Sequence, residues 1–346
     1  MKRVALVEVS DFSTDRIGET IPPDASALLQ KLGVIERFAA DGHVPCYGSR
    51  SLWGSNTLGH NDFLVSPYGH GWHLDRKRFD KMLFKAAIDA GAQPFATRCK
   101  KIETSAECVT AAHLSNGETV EAEWFLDATG RESLLPRSMG ISRQVDDKQV
   151  VIWSRFQINP GSLGQSTWLE AVPYGWWYAA ELPGNIAIVA LGTDGALAKS
   201  MGTSTLQGWV VAFSGTALIA PQVRTARLVP NSFGITASQS YRTRRVAGPN
   251  WRAAGDAASA LDPLLSAGIY KALSSGIRAA ETILDGQDGT AYGQDVATDH
   301  AVYLDARATL YDAEQRWLDQ PFWQQRCRGE SVASVSGSLG EPMRQR

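Results

Sequence analysis

Cysteine is scarce: only Cys46, Cys99, Cys108 and Cys327 occur in 346 residues, with no C-x-x-C pair among them. Scattered singly, they argue against a disulfide framework and a zinc site, and fit reduced thiols in the cytoplasm. Long apolar runs are missing too. No stretch reaches the roughly 18–20 residues a membrane helix needs. The apolar run nearest the N-terminus, Val4 to Val7, is too short for a secretory core. There is no dense Lys/Arg run and the net charge is −2, which speaks against a nucleic-acid partner. No P-loop and no Ser-His-Asp hydrolase pattern is visible. His70 and His73 have a metal-like spacing, but no carboxylate or cysteine arrangement completes a site, so no metal is expected. Tryptophan, by contrast, is plentiful at 11 residues. Indoles fill cores and also wall pockets for flat ligands. With 44% hydrophobic and 20% charged residues, the chain is globular, and its length suits two domains or one two-part fold.

The most informative absence is a glycine-rich turn. Val4-Ala5-Leu6-Val7 followed by Glu8 reads as a short buried strand ended by an acid. The second strand of a dinucleotide-binding βαβ unit ends this way, its acid accepting a hydrogen bond from the adenosine ribose. The matching G-x-G-x-x-G belongs about 20 residues earlier, and seven residues precede Glu8. On its own, Glu8 reads first as the cap of a surface strand.

Periodicity lays out the rest. Pro22 to Phe38 reads as a helix with Leu28, Leu29, Leu32 and Ile35 on its apolar face. Residues 43–72 suit short strands and loops. Leu74 to Gly91 is an amphipathic helix stopped by glycine. Residues 93–126 alternate as strands, with Asn116-Gly117 as a hairpin turn. Residues 150–230 hold further strands and two short helices. A strand, a Gly-Asp turn, a loop and a long apolar helix follow. Residues 296–328 form one or two polar helices, and residues 329–346 read as a loose tail.

Two stretches carry further chemistry. In Trp124-Phe125-Leu126-Asp127-Ala128-Thr129-Gly130-Arg131 an apolar strand ends in a small-residue turn, where backbone can approach a cofactor closely. An ordinary strand-to-loop turn looks the same. The second stretch is more specific: Ala253-Ala254-Gly255-Asp256-Ala257-Ala258, then Asp262-Pro263-Leu264-Leu265-Ser266-Ala267-Gly268-Ile269, then a helix. A strand delivers Asp256 at a tight turn, where its carboxylate can accept hydrogen bonds from a polyol. Pro263 shapes the loop, and the helix starting near Gly268 favours negative charge at its N-terminus.

These motifs, in this order, resemble the FAD-dependent monooxygenases of the para-hydroxybenzoate hydroxylase fold, close to the tryptophan halogenase branch. Arg16 to Pro23, Gly71 to Arg76 with Phe79-Asp80, and Tyr311, Glu314, Arg316-Trp317 and Pro321-Phe322-Trp323 add to the likeness, which runs from residue 3 to about residue 328. The resemblance implies an α/β fold: a glutathione-reductase-like FAD domain in three pieces, 1–42, 73–145 and 245–290, with its first βα unit absent. A β-rich substrate domain, 43–72 and 146–244, is inserted, and 291–328 are C-terminal helices. It implies FAD as cofactor, held by Glu8 at the ribose, Asp256 at the ribityl chain, Gly268 and Ile269 at the ring edge and Arg76 nearby, with Gly130, Gly255 and Pro263 also cofactor-binding. Trp53, Trp168, Trp176 and Trp177 are the expected wall of a substrate pocket. The resemblance further implies an aromatic small molecule or a tryptophan in a partner protein as substrate, and NAD(P)H or a flavin reductase as electron source.

The chain departs from the family pattern twice. The first strand and its G-x-G-x-x-G turn are absent, which predicts weak FAD retention or, at the extreme, a truncated non-catalytic relative. Halogenases of this branch also carry a tunnel lysine after the first long helix, and Gly33 to Arg76 contains none. The W-x-W-x-I-P signature is replaced by Gly175-Trp176-Trp177-Tyr178. Halogenation is therefore the second reading and oxygenation the first.

Overall fold

The computed structural model describes residues 2–327; the expected tail at 329–346 lies outside them. Its largest layer is an eight-stranded sheet, ordered Arg227–Leu228, Gln149–Gln157, Ile186–Asp194, Gly175–Leu182, Thr167–Val172, Gly48–Leu52 and Gly59–Asp62, with Gly234–Ala237 also paired to Gln149–Gln157. All its ladders are antiparallel except Thr167–Val172 against Gly48–Leu52. Successive side chains of a strand face opposite sides, and both sides of this sheet are covered. Trp177, Val189 and Leu191 pack with Trp209 and Phe213 of the Leu206–Ser214 helix. Ala171 and Trp176 pack on the other side with Tyr311, Phe322 and Trp323.

Trp176 lies flat across a glycine. A Cβ placed on Gly192 would stand 2.4 Å from Cε2 of the indole, and the indole is buried and donates to Tyr311 Oη at 3.0 Å. Gly192→Ala is therefore expected to cost about 1–3 kcal/mol through overpacking. A denaturant midpoint equal to wild type would show that the sheet yields at this point.

The expected helix over Pro22–Phe38 breaks in two, Ala25–Lys31 and Ile35–Ala40. Gly33 takes φ +68°, and the amides of Gly33 and Val34 bond back to the carbonyls of Gln30 and Leu29. This left-handed glycine termination overrides the apolar period that runs through it. The following long helix forms as expected, Arg76–Asp89, capped by Asp75 accepting from the Arg78 amide at 3.1 Å.

Pieces far apart in sequence pair in parallel. Ala5–Val7 lies beside Gln93–Phe95, and Phe125–Asp127 lies beside Trp251–Ala253. The segment 43–72 does not belong wholly to the large sheet: Val44–Cys46 and Gly71–His73 pair with each other, and Gly71–His73 also with Thr20–Ile21. The two parallel pairs belong to separate sheets. Among the described residues, Ala5–Val7 and Phe125–Asp127 each keep one unpaired edge, and the ion pair Lys2 Nζ–Glu123 Oε2 at 2.9 Å joins the residues just ahead of them. The strand expected to be buried is not: Ala5 is exposed and Leu6 and Val7 are half-buried, and Leu126 is 44% exposed, unusual for parallel strands, normally covered on both faces. Among the described residues no helix is long and apolar enough to cross a membrane.

Candidate functional site

The parallel register sets Asp127 opposite Ala253, so both strands deliver their following turns to the same end. Asp127 is buried and ties its own turn together. One carboxylate oxygen accepts from the Thr129 amide and hydroxyl at 2.8 and 2.7 Å, the other from the Leu135 amide at 2.8 Å. The Ala254 amide donates to the Asp127 carbonyl at 2.9 Å. Gly130 and Gly255 then take φ of +64° and +58°, a backbone open to glycine at little cost. A Cβ on Gly255 would reach Ala272 Cβ at 3.4 Å, so this turn packs closely on the Gly268–Leu284 helix. Its amide also donates to Ser275 Oγ at 2.9 Å.

Asp256 thus stands beside the Gly130 turn and the first turn of that helix. Its carboxylate is a third exposed and bracketed by cations, Lys271 Nζ at 2.7 Å and Arg131 Nε at 3.5 Å. Its carbonyl accepts from Tyr241 Oη at 2.7 Å, and the Arg143 guanidinium lies over the Tyr241 ring. At Gly268 an added Cβ meets nothing within 4 Å, so open space borders the helix start. The loop before it is set by Asp262, which accepts from the Leu264 amide at 2.9 Å and caps the Pro263–Leu265 turn. Gly130, Gly255, Asp256, Pro263 and Gly268 are therefore brought together. The Ile269 side chain packs instead into the apolar cluster of Ile21, Leu29 and Phe79.

Glu8 and Arg76 sit differently. The Glu8 carboxylate accepts from the Ser10 amide at 2.7 Å, and its own amide donates to the Phe95 carbonyl. It caps the turn leaving its strand. The Arg76 guanidinium is committed to the Ile17 and Gly18 carbonyls at 3.2 and 2.8 Å and to Asp80. That clamp holds the Arg16–Glu19 segment against the helix. Close by, buried Glu19 meets Arg155 at 3.1 Å; burial foremost raises its carboxyl, against the pull of Arg155.

The four tryptophans do not form one pocket wall. Trp176 and Trp53 pack with Tyr311 and Trp323, whereas Trp177 and Trp168 pack into the cluster on the opposite sheet face. Strand alternation makes neighbours 176 and 177 point apart. Trp53 and Trp168 also spend their indole N–H groups on the Leu310 and Leu163 carbonyls. His70 and His73 do not converge either: His70 bonds the Gly71 carbonyl, while His73 is buried between the Glu181 carbonyl and Thr167 Oγ1. Among the described residues no three potential ligands could hold a metal.

A Ser-His-Asp chain exists, although not as a hydrolase site. Ser259 Oγ meets His300 Nδ1 at 2.9 Å, and His300 Nε2 meets Asp146 at 3.0 Å. Its members are scattered over 155 residues, which hides it in the sequence. Ser259 and His300 are buried, so the chain joins three segments rather than offering a nucleophile. Asp127, Arg131 and Lys271 also went unassigned. The acid in Asp127-Ala-Thr-Gly is a turn signal that could have marked the first; a lone lysine on a helix gives none.

A family model described as tryptophan halogenase matches residues 54–151. The putative FAD-dependent oxidoreductase LodB of Marinomonas mediterranea is 31% identical over 333 residues, covering 94% of this chain and 90% of that protein. Three halogenases are longer, the chain spanning 56–59% of their lengths. Among solved structures, the flavin-dependent halogenase CmlS superposes with a TM-score of 0.83 at 23% identity, over 95% of this chain and 64% of that one. The peptidyl tryptophan dihydroxylase QhpG, essential for tryptophylquinone cofactor biogenesis, gives 0.74 at 21%, over 94% and 72%.

Proposed function

Because the chain belongs to the tryptophan halogenase-like family of FAD-dependent oxidoreductases, we propose that it oxidises an electron-rich aromatic ring, an indole in the first instance, with FAD bound at the Asp256 site. The observation that carries this is the meeting of the Gly130 turn, the Asp256 carboxylate and the open start of the Gly268–Leu284 helix. The residues fit such a cofactor: glycine backbone for close approach, a part-exposed carboxylate for hydroxyl groups, and a helix N-terminus for negative charge. When bound, the flavin supplies the oxygen and electron chemistry. The chain's own residues bind and orient it. Asp256 would accept from the ribityl hydroxyls, and the Ser266–Gly268 backbone would help to hold the ring. Asp127 and Asp262 fix these two loops, and the aromatic layer between the sheet and the C-terminal helices keeps water from that side.

The likeness to a peptidyl tryptophan dihydroxylase supports a tryptophan in a partner protein as substrate, with an aromatic small molecule as the alternative. Electrons come from NAD(P)H or a flavin reductase. Halogenation stands second because Gly33 to Arg76 has no lysine. Four free thiols suit a reducing cytoplasm. The pyrophosphate needs a holder that residues 2–327 do not show. The open edges of Ala5–Val7 and Phe125–Asp127, joined by Lys2 and Glu123, suit one more parallel strand leading into a glycine-rich turn. With two strand spacings of about 4.8 Å each to span, a lysine–glutamate pair can bridge such a slot.

FAD titration followed by flavin fluorescence tests the reading. Asp256→Ala is expected to lose a charge-assisted hydrogen bond worth about 1.5–3 kcal/mol, a roughly 10- to 150-fold weaker affinity. Unchanged affinity would return Asp256 to a purely structural role. If the protein takes up FAD only when a strand with a G-x-G-x-x-G turn is supplied ahead of Lys2, the slot is real; stoichiometric FAD without it would refute the slot and leave the Asp256 site standing.

A further inference from the structure

Lys271 stands where two ordinary rules oppose a lysine. It lies in the first turn of the 17-residue Gly268–Leu284 helix, the positive end of the dipole, where carboxylates and not cations are favoured. Its side chain is only 13% exposed, and lysine is among the residues least often buried. A cost on both counts calls for a partner, and the structure supplies one. The ammonium lies 2.7 Å from Asp256 Oδ1 and donates also to the Ser259 carbonyl. Burial pulls the ammonium below its ordinary range, and the Asp256 charge opposes that pull.

The surrounding charges are already matched. Behind Lys271, with Ser259, Ser275, Arg278 and His300, lies a cavity of about 30 Å³, room for one water. Arg278 pairs with Asp299, and His300 with Asp146. Asp256 differs from these pairs in facing two cations at once while remaining a third exposed. Through Lys271 it sits against the first turn of the Gly268–Leu284 helix, beside the open helix start, where an uncancelled negative charge would be unwelcome to an anionic ligand.

We infer that Lys271 is a positioning residue that cancels the charge of Asp256, so that the site can accept a ring that becomes anionic when reduced. This rests on the FAD reading. Without Lys271 the carboxylate would keep only the longer 3.5 Å pair with Arg131; it would still accept from hydroxyl groups, but its less fully cancelled charge would repel the reduced ring more than the neutral oxidised one. With Lys271 in place, the acceptor function is kept and the repulsion is removed.

The measurement is the two-electron midpoint potential of bound flavin, with the affinity for oxidised FAD determined beside it. Lys271→Met is expected to lower the ratio of reduced to oxidised affinity about tenfold, which makes the potential about 30 mV more negative. Lys271→Gln, which keeps a donor for the Ser259 carbonyl, serves if the methionine variant folds poorly and should shift the same way. Lys271→Arg should hold the wild-type potential. The deciding variant is Asp256→Asn combined with Lys271→Met. Charge cancellation predicts that it returns the potential towards wild type, since the charge to be cancelled is gone. An unchanged potential in Lys271→Met, or a double variant shifted as far as the single one, overturns the inference while FAD binding stands. A protein that takes up no FAD even with a strand and G-x-G-x-x-G turn supplied ahead of Lys2 overturns both.

Discussion

Replacing Asp262 by alanine is expected to lower stability by about 3–5 kcal/mol, visible as a large fall in the denaturant midpoint. Asp262 is 1% exposed, and both of its carboxylate oxygens are in use. One accepts from Tyr311 Oη at 2.7 Å and Arg307 Nε at 3.3 Å, the other from the Leu264 amide at 2.9 Å and Gln149 Nε2 at 3.3 Å. Removing it strands a buried guanidinium, a phenol and a backbone amide together, and an uncompensated buried charge costs far more than a lost surface pair. Burial, and then the Asp262 charge, hold the Tyr311 phenol well above its ordinary range, so it remains a donor, left with only the longer 3.4 Å contact to Gln149 Oε1. Arg307 keeps Asp147 at 2.9 Å, which puts the expectation at the lower end of the range. Asp262→Ala combined with Arg307→Met should cost less than the two single losses added, because the stranded charge is removed. A loss under about 1 kcal/mol for Asp262→Ala would mean that solvent reaches Arg307 readily, contrary to its burial. The same carboxylate shapes the Pro263–Gly268 loop, so a stable but FAD-poor variant would locate its main effect there.

Parts of this architecture could be read from residue order and parts could not. The strand at Ala5–Val7, the helix at Arg76–Asp89 and the Gly255–Gly268 pattern declare themselves through local chemistry: an apolar run, a capped 3.6-residue period, a glycine turn before a proline loop. The break at Gly33 hides because Leu28, Leu29, Leu32 and Ile35 keep their period across it. The large sheet hides because its partners are distant. Gly48–Leu52 pairs with Thr167–Val172, and no local feature selects that partner over the other strands. The tryptophans misled for a related reason. An indole reads alike whether it walls a pocket or fills a core, and only the pleat separates Trp176 from Trp177. At the site, Asp256 was legible because a turn and a carboxylate coincide, whereas Lys271 was not. On a helix a lysine ordinarily reads as a solvated face, and only the approach of the 255–260 loop turns it into a buried cation.

Two buried histidines make the fold sensitive to mild acid. Burial foremost depresses His43 and His73 from 6.5 to about 4, and the hydrogen bonds give the reason in atoms. His43 Nδ1 accepts from the Asp75 amide at 3.1 Å, at the cap of the Arg76–Asp89 helix; a proton there would face another N–H. His73 donates through Nδ1 to the Glu181 carbonyl at 3.0 Å, leaving Nε2 to accept from Thr167 Oγ1 at 3.1 Å. The unfolded chain binds protons at both rings as pH falls through 6.5, while the folded chain refuses them until about pH 4. Their stability contribution is therefore complete above pH 6.5 and is lost between 6.5 and 4, by about 3 kcal/mol per ring at most. Glu19 acts in the opposite sense. Its raised carboxyl weakens the fold at neutral pH and is relieved on acidification, so it offsets part of the loss. Thermal melts at pH 7 and pH 4.5 should differ steeply in wild type. In a His43→Asn, His73→Asn variant the amide oxygen can replace one acceptor and the amide N–H the other donor, with no titrating ring left. That variant should show a much shallower acid slope, and an equal slope would assign the sensitivity to the carboxylates instead.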